Sequence, residues 1–428
     1  MNAMKALLIL IICCVSAANA FASEFVFHQR IDMHPRTETV TSVQKNFPAP
    51  SNALCISTVC TGEKTVRTES EMAVSSMATT AAATTGTCRN SIGKVVAVPY
   101  DLTGGCTSDL LWINNQTHQF GWWLIYPTEA PGGVMSKGIS QIISVTPGYW
   151  VAASGDFNGD GKADLIWTSN SRDLYMWTNN GSGFTPAYIG AYPAGWVLLG
   201  AADIDGDGID DLIWENQSAC EYGYWLMNGT QVVNRTTISV TCGYHINFIE
   251  TAFDSPNGTT PAIYWQGPAN QNGVSTFYQW LPQGQAFNAS VYGQGPSGWT
   301  FVSGSHPYAA ALNQFLPLMV FSGSANGSSG PNGLWWCVNS MAGGESGDTE
   351  FMPGYQVVAA GHYTGSLGVD NDSEDILWMD SSGDLVIWPE DASQGAIRVF
   401  TADMLGQTGF SLGAAPPGWQ VVRPGVQN

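Results

Sequence analysis

The chain writes one unit of about fifty residues over and over, and this repetition limits its fold more than any other feature. The clearest copy runs Gly148-Tyr-Trp-Val-Ala-Ala-Ser-Gly-Asp-Phe-Asn-Gly-Asp-Gly-Lys-Ala-Asp-Leu-Ile-Trp167 and continues to Asp173-Leu-Tyr-Met-Trp177. The next begins at Gly195-Trp196, passes through Asp203-Ile-Asp-Gly-Asp-Gly-Ile-Asp-Asp-Leu-Ile-Trp214 and ends at Tyr224-Trp225. The aromatic anchor in the middle of each unit falls at Trp112, Trp167, Trp214, Trp265, Phe321 and Trp378, with spacings of 55, 47, 51, 56 and 57 residues. Every unit holds short apolar runs of strand length divided by Gly, Asn and Asp turns, and none has a sustained helical period. Three or four short strands per repeat of this length is the pattern of a propeller blade. The expected fold is therefore all-β, a β-propeller.

The ends bear on the blade count. Pro417-Gly-Trp-Gln-Val-Val422 is a seventh copy of the opening strand, and only six residues follow it. A lone strand there would be an exposed edge. The sequence therefore predicts seven blades, the last completed by strands from residues 24–90, so that N- and C-terminal strands close the ring. Residues 95–101 read as the opening strand of the first unit. The division that follows is a signal peptide at 1–20, an N-terminal segment at 21–92 with an Ala/Thr/Ser-rich linker at 72–87, and the propeller at 93–428.

Lys5, an apolar run over 6–15 and the small residues Ala18-Asn19-Ala20 make the first twenty residues read as a secretory leader. No later stretch is apolar enough to span a bilayer, so the expected location is extracellular or periplasmic. Seven cysteines follow the leader, and an oxidising compartment makes disulfides their default state. Cys220–Cys242 is the favoured pair, with Cys55–Cys60 and Cys88–Cys106 as further candidates and Cys337 left over. The balance of 14 Lys+Arg against 34 Asp+Glu gives a formal charge of −20. So acidic a surface repels nucleic acid instead of displacing its counterions.

Two units carry the pattern D-x-[DN]-x-D-G-x-x-D. Asp156, Asn158, Asp160 and Asp164 occupy positions 1, 3, 5 and 9 of the first loop, and Asp203, Asp205, Asp207 and Asp211 those of the second. Alternate spacing aims side chains at one point, Gly161 and Gly208 allow the tight turn, and the carbonyls of Lys162 and Ile209 can complete an oxygen shell. Hard oxygen donors on a flexible loop suit Ca²⁺. An EF-hand is excluded, because position 12 is Trp167 or Trp214 and the loop runs straight into a strand. The other units depart from this pattern. Thr103 and Gly105 stand where ligands belong in the loop Asp101 to Asp109, and His362 replaces the first Asp of the sixth unit.

These loops resemble the FG-GAP/VCBS repeats of integrin-α-type propellers, bacterial surface proteins and some fungal lectins. The resemblance covers about residues 93–422 and implies Ca²⁺ in the loop between the first two strands of some blades. It also implies a recognition module that binds glycans or extracellular proteins, lectin- or adhesin-like. The alternatives are an extracellular polysaccharide lyase or hydrolase with acids in the central funnel, and a non-catalytic subunit of a surface assembly. No G-x-S-x-G elbow, H-E-x-x-H or Walker loop is present, so no catalytic residue is assigned. The seventeen tryptophans fall on recurrent positions and read as packing between blades. The doubled Trp122-Trp123 and Trp335-Trp336 are the exceptions, since neighbours on a strand point to opposite faces. One of each pair is expected to face outward as a ligand platform.

Overall fold

The computed structural model describes residues 88, 98–126, 136–137, 141–250, 261–271, 273–283, 286–296, 300–305, 308–309, 314–315, 318–323, 333–338, 345–350, 355–363, 375–388 and 410–422. For 136–137, 294–296, 300–350, 388 and 410 it describes the backbone alone. The fold is an all-β propeller. Five four-stranded antiparallel sheets are each built from one continuous stretch of chain. Blade 2 comprises Tyr149–Gly155, Asp164–Ser169, Asp173–Asn179 and Phe184–Ala191, and blade 3 comprises Val197–Ala202, Asp211–Asn216, Glu221–Asn228 and Gln231–Ser239. Blade 4 spans His245–Glu250 to Ala286–Pro296, blade 5 Thr300–Ser305 to Glu345–Glu350, and blade 6 Gln356–Gly361 to Phe410–Ala414.

A further four-stranded sheet, blade 1, is composite. Leu110–Asn114, Gln119–Trp123 and Gln141–Ser144 come from the start of the described chain, and the opening strand is Gln420–Val421 from its end. Seven blades are thus corrected to five continuous sheets and this one closing sheet among the described residues. The reason is local to the first unit. Its expected opening strand is a turn at 98–101, where the Asp101 N–H reaches the Val98 carbonyl at 3.0 Å. The vacant edge of Leu110–Asn114 is instead paired by the C-terminal copy, in the register Trp112 to Val421 and Ile113 to Gln420. No strand from 24–90 takes part among the described residues. That segment, Cys88 apart, lies outside them.

Opening strands of successive blades lie against one another, Tyr149–Gly155 on Val197–Ala202 and this in turn on His245–Glu250, so they face the axis. Each continuous opening strand has a β-bulge at the same place, at Val151/Ala153, Leu198/Gly200, Ile246/Phe248, Phe301/Ser303 and Val357/Ala359. Such bulges add local bend and twist. The fourth strands are outermost, and Gln231–Ser239 has only exposed and half-buried residues.

The core lies between blades. Trp112, Trp167, Trp214, Trp265 and Trp378 are all at most 2% exposed. Four of them pack at a tilt against a third-strand tryptophan of the same blade, with ring centroids 4.6 Å apart for Trp112 and Trp123 and 4.7 Å apart for Trp167 and Trp177, Trp214 and Trp225, and Trp265 and Trp280. One cluster joins blades 1 and 2 through Leu111, Phe120, Trp122, Val151, Trp167 and Val422. Another joins blades 6 and 1 through Trp112, Trp123, Leu377, Leu385, Ile387 and Val421. Val421 and Val422 therefore face opposite neighbours, and one short strand seals both interfaces.

Candidate metal loops

Each acidic loop is the connection between the first two strands of its blade. Gly155 pairs with Asp164 and Ala202 with Asp211, so position 9 opens the second strand directly across from the residue before position 1. The position-1 carboxylate closes the turn. Asp156 Oδ1 accepts the N–H groups of Gly159 at 2.7 Å and Asp160 at 3.1 Å, while Oδ2 accepts that of Gly161 at 2.7 Å. Asp203 does the same with Gly206 at 2.7 Å and Gly208 at 2.9 Å. Gly161 and Gly208 have φ of +80° and +92°, a left-handed conformation that costs a side-chain-bearing residue about 1–2 kcal/mol.

The position-9 carboxylate ties the loop to the third strand. Asp164 accepts from Phe157 N–H at 3.1 Å and from Asn179 N–H at 2.7 Å. Asp211 accepts from Ile204 N–H at 3.0 Å and from Met227 N–H at 2.9 Å. Both are buried. Burial, opposed by these amides, pushes Asp164 up to about 7 and Asp211 up to about 8.

The loop Asp101 to Asp109 shows which of these contacts are independent of metal ligation. It lacks acids at positions 3 and 5, yet Asp101 accepts the N–H groups of Gly104 at 2.8 Å and Cys106 at 2.7 Å. Asp109 accepts those of Leu102 at 2.9 Å and Ile125 at 2.7 Å. Position 6 is Cys106, at φ +65°, bonded to Cys88. The aspartates at positions 1 and 9 are therefore scaffold residues in all three loops, a role the ligand reading of the sequence missed. The recurrence of Asp101 and Asp109 in a loop without the other ligands was the available signal.

Positions 3 and 5 distinguish the loops. Carboxylate oxygens of Asp203, Asp205 and Asp211 lie within 4.8 Å of one another. In the neighbouring loop Asp160 Oδ2 is 3.3 Å from the Lys162 ammonium, and Asn158 accepts the Asp160 N–H at 2.8 Å. Three hard oxygen donors that converge on a glycine-hinged hairpin are a donor set that could hold a metal ion. Asp205 and Asp207 are exposed, so an ion reaches the loop without opening the core.

The aromatic candidates behave otherwise. Trp122 is 7% exposed and packs edge-on against Phe184, and Trp123 is 3% exposed and packs at a tilt against Trp112. They do point to opposite faces, but both faces of a blade are covered by neighbouring blades, so alternation exposes neither. Their assignment as an outward ligand platform is corrected to core. Trp335 and Trp336 lie on Gly333–Val338, paired with Phe321 and Val320. The Cys220–Cys242 and Cys88–Cys106 disulfides are both present, and Cys55 and Cys60 lie outside the described residues.

No helix among the described residues is long and apolar enough to cross a membrane. Comparison with curated proteins yields no match. Solved structures similar to the chain include BBS1N in complex with ARL6DN, with 9% identity, 69% of this chain and 83% of that chain covered and a TM-score of 0.33. SapL1 lectin in complex with alpha methyl fucoside gives 10%, 73%, 97% and 0.36, and the WD40 domain of SCAP from fission yeast gives 7%, 61%, 70% and 0.28. At these identities and scores the likenesses carry no functional weight. The family comparison matches the FG-GAP-like repeat over residues 156–214. The stretch that holds both acidic loops is thus an FG-GAP-like repeat set in a β-propeller.

Proposed function

We propose that the chain is a secreted, calcium-stabilised recognition module that binds glycans or surface proteins through the loops at one end of the propeller. The observation that carries the metal part of this reading is the convergence of Asp203, Asp205 and Asp211 within 4.8 Å inside an FG-GAP-like repeat. Asp156, Asn158, Asp160 and Asp164 form the second site in this reading, with the Lys162 and Ile209 carbonyls as additional donors. A bound ion would favour the ionised forms of Asp164 and Asp211, which burial otherwise keeps protonated up to about 7 and about 8. Its work is to hold the loop between the first two strands. Export through the leader at 1–20 accords with the two disulfides, which persist in oxidising compartments.

The test is a glycan array probed with the purified chain in millimolar Ca²⁺ and again in chelator, alongside calorimetric titration with Ca²⁺. Calcium uptake together with calcium-dependent binding to one sugar family supports the reading. Folded protein that takes up no calcium refutes its metal part. Calcium uptake with a blank array refutes glycan recognition and directs the search to protein partners.

A further inference from the structure

One residue joins the two acidic loops. Asp210 occupies position 8 of the loop in blade 3, beside Asp211, and reaches back to blade 2. Its N–H donates to the Asp156 carbonyl at 2.8 Å, and its Oδ2 accepts the Asp156 N–H at 2.7 Å. Both main-chain polar groups of the position-1 aspartate in one loop are therefore held by a single residue of the next. A Cβ on Gly155 would lie 2.8 Å from Asp210 Oδ2 and 2.9 Å from Asp210 Cβ, so the residue before Asp156 has no room for a side chain.

The same hook occurs where blade 6 meets blade 1. Ser108, at position 8, donates its N–H to the His362 carbonyl at 2.8 Å and accepts the His362 N–H on Oγ at 3.0 Å. A Cβ on Gly361 would likewise lie 3.0 Å from Ser108 Oγ. Between blades 1 and 2 position 8 is Ala163. The main-chain half survives there, Ala163 N–H to the Asp101 carbonyl at 2.7 Å, and no side chain takes the other half. Among the described loops, the carboxylate form of the hook stands only between the two loops that carry the full acidic pattern.

We propose that Asp210 is a positioning residue that makes calcium binding at the two loops cooperative. This rests on the calcium reading above. An ion at Asp203, Asp205 and Asp211 orders the segment that carries Asp210, and Asp210 then fixes the backbone of Asp156. The ordering cost of the second loop is thereby met in part by the first ion, which is positive coupling without a change of fold. By linkage the effect is reciprocal, so an ion at Asp156 favours occupancy at Asp203.

The test is calorimetric titration of the chelator-stripped full chain with CaCl₂, compared with one-loop variants (D156N/D160N and D203N/D205N) and with D210A and D210S. The product of the two stepwise binding constants of the wild type should exceed the product of the two one-loop constants by about fivefold or more. D210A should abolish that excess, while D210S, which rebuilds the hook seen at Ser108, should restore part of it. An excess of one in the wild type, or an excess that survives D210A, overturns the proposal while leaving the calcium sites intact. Absence of calcium binding by the folded wild type overturns the metal reading itself. Should D210A fail to fold by circular dichroism, Gly155→Ala displaces the same carboxylate from the other side and must lose the excess as well.

Discussion

Removal of residues 417–428 tests the closure of the ring. The opening strand of blade 1 is only Gln420–Val421, but its neighbours depend on it. Val421 is 8% exposed within the cluster joining blades 6 and 1, and Val422 is 3% exposed within the cluster joining blades 1 and 2. Burying a valine is worth about 1.5–2 kcal/mol. The truncation also removes the Val422 N–H to Leu111 carbonyl bond of 2.9 Å and the ladder at Trp112 and Ile113, each bond worth about 1 kcal/mol net. The expected loss is about 6 kcal/mol, a large share of the roughly 5–15 kcal/mol that holds a folded protein together. Urea unfolding followed by tryptophan fluorescence reads it directly, with a sharply lower midpoint for the truncated chain. An unchanged midpoint would show that the ring is closed by something other than the C-terminal strand.

Substituting Trp122→Ala should cost about 3–5 kcal/mol, as expected for a core aromatic; a folded variant of unchanged stability that had lost ligand binding would reinstate Trp122 as a surface platform. In chelator, stability should fall as pH rises from about 4 to about 8. The unfolded chain releases the protons of Asp164 and Asp211 near 3.8 while the folded chain keeps them to about 7 and about 8, so the folded state binds more protons across that window. Calcium should flatten or reverse this slope, and melting temperatures across the range in chelator and in Ca²⁺ decide it. Replacing Cys220 and Cys242 by Ser opens a closure of 22 residues and should lower stability by about 3 kcal/mol in the chain-entropy account, read by urea titration.

Much of this was legible in the repeats. The 3.6-residue period is missing, the anchors return every fifty residues or so, and the D-x-[DN]-x-D-G-x-x-D spacing names the loop residues one by one. These are local signals, set by turn chemistry and by side-chain alternation within a few residues, and local signals survive in a one-dimensional pattern. Both observed disulfides belong to the same class, because 22 and 18 residues separate their cysteines.

The tertiary structure decided what depends on partners distant along the chain. Pairing of Val421 with Trp112 spans almost the whole propeller, so the last copy of the opening strand looked like a seventh blade until its neighbour was known. Alternation along Gln119–Trp123 correctly sent Trp122 and Trp123 to opposite faces, but only the packed ring shows that both faces are interior. Within the loops the spacing marked Asp156 and Asp203 as ligands, whereas their hold on backbone amides, and the reach of Asp210 from one blade to the next, exist only once the hairpins stand side by side. Sequence period determines which elements form. Which edges and faces stay open is settled by the ring they build.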